Sequence, residues 1–116
     1  MIENRIDTTT ERVNDVTVIT ILGDLNAAVQ EQVDATYAAA IADGTSKIVI
    51  VFRAEDHINS AGIGLLIGLV MECRNGARAV HFVHPAEHFR KIFDIVGLSR
   101  YAPVFSTLDE ALAHFA

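Results

Sequence analysis

Lys47-Ile48-Val49-Ile50-Val51-Phe52 leads, a few residues later, into Asp56-His57-Ile58-Asn59-Ser60-Ala61-Gly62-Ile63-Gly64-Leu65-Leu66. The first is apolar without alternation. A strand of that kind must be covered on both faces, because a half-exposed strand alternates apolar with polar positions. The second has a polar entry followed by an apolar run that continues through about Arg74 and closes at Asn75-Gly76, as a helix does. A buried strand feeding a helix is the repeating unit of a parallel α/β sheet.

The same alternation extends on both sides of this unit. Upstream, the β-branched run Val16-Thr17-Val18-Ile19-Thr20-Ile21 reads as a strand, and the turn signal Arg12-Val13-Asn14-Asp15 suggests a hairpin with a first strand over Ile2 to Thr9. After Gly23-Asp24-Leu25, the residues Val29, Val33, Tyr37 and Ile41 recur at helical spacing, with Gly44 where a C-terminal cap belongs. Downstream, Ala79 to Val83 reads as a strand. Pro85 suits the first position of a third helix, whose stripe is Phe89, Ile92, Phe93 and Val96 and which Gly97 ends. A short strand at Val104-Phe105 precedes the capping box Thr107-Leu108-Asp109-Glu110, which opens a last helix with Leu108, Ala111, Leu112 and Phe115 inward. This order predicts an α/β fold: a mixed, mostly parallel sheet of about five strands with about four helices and right-handed crossovers. With no Pro/Ser linker or repeat to divide it, residues 1–116 are expected to form one domain.

Composition narrows the function classes. Hydrophobic residues make up 51% of the chain and charged residues 21%, enough apolar surface to build a packed core. The formal net charge of -6 opposes broad contact with nucleic acid or anionic lipid, which attract clustered Lys and Arg. The longest weakly polar run, Ala61 to Met71, is far shorter than the roughly 20 residues a membrane-spanning helix needs. Cys73 stands alone and permits no intrachain disulfide, and Met1 to Thr10 lacks the pattern of a signal peptide, so a reducing cytoplasm is the expected location.

The segment after the central strand carries the functional signal. Gly62, Gly64 and Gly68 each cost a helix about 1 kcal/mol relative to Ala, so three of them require a reason in packing or contact. Ala61, Gly64 and Gly68 share one face, a flat strip that could pack on the sheet or receive a partner's backbone. Ser60 sits at the helix entrance. Its hydroxyl could cap backbone N–H groups, or it could accept a phosphoryl group, bringing about -1.5 to -2 charges to the positive end of the helix dipole. Glu55 and Asp56 already make the loop acidic, so a phosphate there would change which partner can approach.

Ile58-Asn59-Ser60-Ala61-Gly62-Ile63-Gly64 resembles the phosphorylation-site motif of STAS-domain anti-sigma factor antagonists. Leu22-Gly23-Asp24-Leu25-Asn26 resembles the end of that family's second strand, and Phe93-Asp94-Ile95-Val96-Gly97-Leu98 its third-helix ending. The likeness runs in order over nearly the whole chain. It implies a STAS-like fold with Ser60 as phosphoacceptor and a contact surface of Asp24, Leu25, Asn26, Ile58, Asn59, Ser60, Ala61, Gly62 and Gly64. It also implies a partner anti-sigma factor that is a serine kinase of the histidine-kinase-like ATPase fold, reversal by a PP2C-type phosphatase, and binding of the anti-sigma factor by the unphosphorylated form. The family often has Asp where this chain has Asn26 and Asn59; asparagine keeps the turn and capping geometry without the charge. Within the same fold, the chain is also similar to STAS accessory subunits of lipid-transport ABC systems, and a degenerate, ligand-binding STAS protein is a third reading.

Enzymatic and cofactor readings fit poorly. Ile58-Asn59-Ser60-Ala61-Gly62 lacks the first glycine of a hydrolase nucleophile elbow, and no phosphate-binding GxxxxGK[ST] loop is present. His81 and His84 should point to opposite sides of a strand with His88 on the next helix, which argues against a metal site. No catalysis, cofactor or metal is expected. Lys47, Arg53, Arg90, Lys91 and Arg100 are scattered and read as solvated side chains.

Overall fold

The computed structural model describes residues 6–84 and 86–115. Five strands form one sheet in the linear order β1 (Asp7–Val13), β2 (Val16–Leu22), β3 (Lys47–Phe52), β4 (Ala79–Val83) and β5 (Val104–Phe105). The β1–β2 hairpin is antiparallel, with Val13 opposite Val16, and every later pairing is parallel. Four helices complete the expected α/β architecture: α1 (Gln30–Ile41), α2 (Ser60–Asn75), α3 (Glu87–Ile95) and α4 (Leu108–Ala113).

The topology dictates where the helices lie. Each crossover steps to the next strand in the same direction, and a right-handed connection repeated in one direction returns its helix to the same face. Accordingly α1, α2 and α3 share one face. There Val33, Tyr37, Leu66, Val70, Phe89 and Phe93 pack on Ile19, Ile21, Ile48, Ile50, Val80 and Phe82. The alternate strand residues Val18, Val49 and Val83 face the other way, onto Ala111 of α4 with Leu108, Leu112 and Phe115. That arrangement explains the unbroken apolar run of β3, whose Ile48, Val49 and Ile50 are each at most 1% exposed.

Four local expectations need correction, one of them the stripe of the third helix, of which Phe89 and Phe93 are buried but Ile92 and Val96 are exposed. The first strand runs over Asp7–Val13 rather than Ile2 to Thr9, and the reversal is confined to Asn14-Asp15, with Asn14 in the left-handed region at φ 56°. Residues 2–5 of the expected strand lie outside the described residues, as does Pro85. The third helix begins at Glu87 after Ala86, which has extended backbone and no side-chain cap. In the last helix Glu110 N–H donates to Thr107 Oγ1 (3.2 Å), but Glu110 Oε1 accepts from the Thr107 hydroxyl, so the reciprocal half of the capping box is not made.

His81 and His84 do fall on opposite faces of the sheet. His81 lies on the α4 side, with Nδ1 2.9 Å from the Ala111 carbonyl and its ring stacked on Phe115 at 3.7 Å. A carbonyl can only accept, so Nδ1 carries the proton there. His84 lies on the other side, stacked on Phe89 at 4.2 Å, with Nδ1 accepting the Ala86 N–H at 3.0 Å. Burial pushes both imidazoles below the ordinary histidine value. The folded state therefore favours the neutral rings; their contribution to stability is complete above the usual histidine pKa and is lost as pH falls below it through the folded values. The thermal midpoint is expected to fall between about pH 7 and about pH 5, and His84→Leu to flatten that dependence. Thermal melts across the interval check this; an identical slope in the variant contradicts it.

Candidate functional site

Two loops leave the C-terminal edge of the parallel strands, where open α/β sheets usually place their sites. One follows β2 and the other follows β3, and they are joined by a short parallel bridge between Leu25 and Ile58. Leu25 N–H donates to the His57 carbonyl (2.8 Å), and Asn59 N–H donates to the Leu25 carbonyl (3.2 Å). Side chains reinforce the seam: Asp24 Oδ1 accepts from His57 N–H (2.9 Å) and Asp56 Oδ2 from Gly23 N–H (2.8 Å). Arg53 closes it through two bonds to the Asp56 carboxylate, both 2.9 Å. The Arg53 guanidinium, with help from the Gly23 N–H, holds Asp56 below the ordinary carboxylate range against the opposing effect of burial. Arg53, read from sequence as merely solvated, is thus a clamp; its i,i+3 spacing to Asp56 was the available signal.

The entrance of α2 is built by Asn59, not Ser60. Asn59 has extended backbone (φ -87°, ψ -176°) and its Oδ1 accepts from Gly62 N–H at 2.9 Å, while its carbonyl takes the Ile63 N–H. Of the two readings of Ser60, the capping one is not met: Ser60 occupies the first helical position and is exposed. Among the described residues no hydrogen-bond partner reaches its hydroxyl, nor the backbone N–H groups of Ser60 and Ala61. Among the described residues an unengaged hydroxyl therefore stands beside two unused donors at the positive end of a 16-residue helix. Asn26 plays the same part across the seam, its Oδ1 accepting from Ala28 N–H at 2.9 Å at the start of a 3₁₀ turn that leads into α1.

The expected contact residues divide into two groups. Asp24, Asn59, Ser60, Ala61 and Gly64 are exposed around the α2 entrance, with Asn26 and Ile58 half-buried beside them. Leu25 and Gly62 are not on that surface. Leu25 is 1% exposed and turns its side chain into the core, so its share in the site is its backbone. Gly62 lies directly under the seam: a Cβ there would stand 2.9 Å from the Leu25 carbonyl carbon and closer still to its oxygen. Gly64 and Gly68 differ from it, being exposed, and among the described residues a side chain there would meet nothing outside its own helix. They do not pack on the sheet.

Among the described residues no three His, Cys, Asp or Glu side chains come together to hold a metal, and no helix is long and apolar enough to cross a membrane.

The family model of the STAS domain matches residues 7–111. An anti-sigma F factor antagonist of Lysinibacillus sphaericus is 32% identical over 82 residues, 70% of this chain and 70% of that protein. The crystal structure of an anti-sigma factor antagonist from Mycobacterium paratuberculosis superposes with a TM-score of 0.76 at 20% identity, over 95% of this chain and 93% of that one. The Bacillus cell fate determinant SpoIIAA in its phosphorylated form gives a TM-score of 0.66 at 26% identity, over 95% of this chain and all of that one. The match of the family model over residues 7–111, with the 32% identical relative, places this chain in the STAS domain family.

Proposed function

We propose that this chain is an anti-sigma factor antagonist whose partner choice is switched by phosphorylation of Ser60. In this reading the unphosphorylated form binds, in the cytoplasm, an anti-sigma factor that is a serine kinase of the histidine-kinase-like ATPase fold. That kinase transfers a phosphoryl group to Ser60, and a PP2C-type phosphatase removes it. In the transfer, Ser60 Oγ forms a bond to the γ-phosphorus of ATP as the bond to the ADP oxygen breaks, and the hydroxyl proton passes to a base of the kinase. The chain is substrate and ligand, not catalyst.

One observation carries the proposal: the Ser60 hydroxyl is exposed and unengaged because Asn59 has taken over the capping role. A serine that capped its own helix would have to give up a hydrogen bond before it could react. Supporting it are the two free N–H groups and the helix dipole, which accommodate an added phosphate without cost to the fold. The relatives' names, antagonists of anti-sigma factors, and the phosphorylated form of SpoIIAA point the same way. Asn26 and Asn59 retain the capping geometry that the charged residues common in the family would provide.

Incubation with the anti-sigma factor kinase and ATP is expected to add one phosphate, seen by intact-mass analysis, and none in Ser60→Ala. No added phosphate, or a phosphate that persists in Ser60→Ala, overturns the proposal.

A further inference from the structure

A groove of about 400 Å³ lies between α1 and α2. Its floor is apolar, formed by Tyr37 and Leu69, and Gly64 and Gly68 leave the α2 wall bare. Asp34 and Glu72 stand at its rim from opposite helices. Among the described residues neither carboxylate belongs to an ion pair.

The two glycines have no explanation inside the molecule. Neither has a positive φ, and among the described residues a methyl group at either position would touch nothing outside its own helix. They weaken α2 without serving its packing or its backbone, so their use lies in what approaches from outside. Ser60, Gly64 and Gly68 are spaced four apart, which sets them along one side of α2 and makes the groove continuous with the Ser60 surface.

We infer that this groove receives an amphipathic helix of the anti-sigma factor carrying Lys or Arg beside its apolar stripe, an inference that rests on the function proposed above. A helix fits because it satisfies its own backbone; an extended segment lying between two helices would find no strand edge to pair with. The bare glycine wall allows that helix to come close. Exposed carboxylates on both sides of an apolar floor select a basic partner and reject an acidic one. The interface thus has two parts: a switch at Ser60 and an invariant dock along the glycines.

The experiment is a calorimetric titration of the anti-sigma factor kinase, without ATP, into three forms of the full chain: unaltered, Gly64→Ala/Gly68→Ala, and Asp34→Lys/Glu72→Lys. The double alanine variant is expected to melt several degrees higher, because helix propensity improves, yet to bind about tenfold more weakly. The double lysine variant is expected to lose about tenfold or more and to lose most of the salt dependence of binding. Groove variants that bind like the unaltered chain overturn this inference while leaving the Ser60 switch standing. An unaltered chain that does not bind at all overturns both. The raised melting temperature shows that weaker binding in the alanine variant is not a folding defect.

Discussion

Gly62→Ala is expected to lower the thermal midpoint by roughly 8 °C, although alanine is the better helix former. The added Cβ would collide with the Leu25 carbonyl, a backbone group fixed by the bridge to Ile58 and by accepting the Asn59 N–H. Neither side can yield through a rotamer change. Overpacking of this kind costs about 3 kcal/mol, of which about 1 kcal/mol returns as helix propensity, leaving a net loss of about 2 kcal/mol. At roughly 4 °C per kcal/mol for a chain of this size, the shift follows. Two residues on, Gly64→Ala meets open space and is expected to raise the midpoint by roughly 4 °C. Thermal denaturation of the two single variants reads the opposite signs directly; a Gly62→Ala protein as stable as the parent would mean that the seam is not held as described. Because the clash falls on the seam, the same substitution should also displace the Ser60 entrance.

Phosphorylation of Ser60 is expected to weaken binding of the anti-sigma factor by at least about a hundredfold. Within the chain the phosphate is well placed, beside free N–H donors and the positive end of α2. Its effect is between molecules. A kinase that transfers phosphate to Ser60 must present its nucleotide's phosphates to this hydroxyl, and after transfer the phosphoserine would meet that charge in a partly desolvated interface. Asp24 and Glu55 are exposed on the two loops that lead to the entrance, and among the described residues the one cation of the seam, Arg53, is committed to Asp56. Like charges brought together across an interface cost several kcal/mol, enough for a hundredfold loss.

The elements were legible where a single physical requirement governed a stretch of residues. β3 could only be a strand covered on both sides, and the strand and helix periods on either side of it fixed the mixed sheet. β1 was misplaced because Asp7-Thr8-Thr9-Thr10-Glu11-Arg12 is a mostly exposed edge strand with no apolar alternation to read. In the site, what escaped the sequence depends on groups brought together only by folding. Gly62, Gly64 and Gly68 look alike in one dimension; the Leu25 carbonyl, arriving from another loop, separates the first from the others. Asn59 and Ser60 are both competent caps, and the backbone angles of the entrance decide between them. Leu25 sits in a polar turn and could have faced either way until the core claimed it. The Arg53–Asp56 clamp acquires its purpose only when Gly23 joins it.

The most direct measurement is a pair of calorimetric titrations of the anti-sigma factor, one with the unmodified protein and one with protein phosphorylated on Ser60. Saturable binding by the first and a loss of at least about a hundredfold by the second is the outcome expected from a hydroxyl that governs docking. Equal affinities for the two forms would contradict it, since a charge placed at the mouth of α2 would then make no difference to the partner.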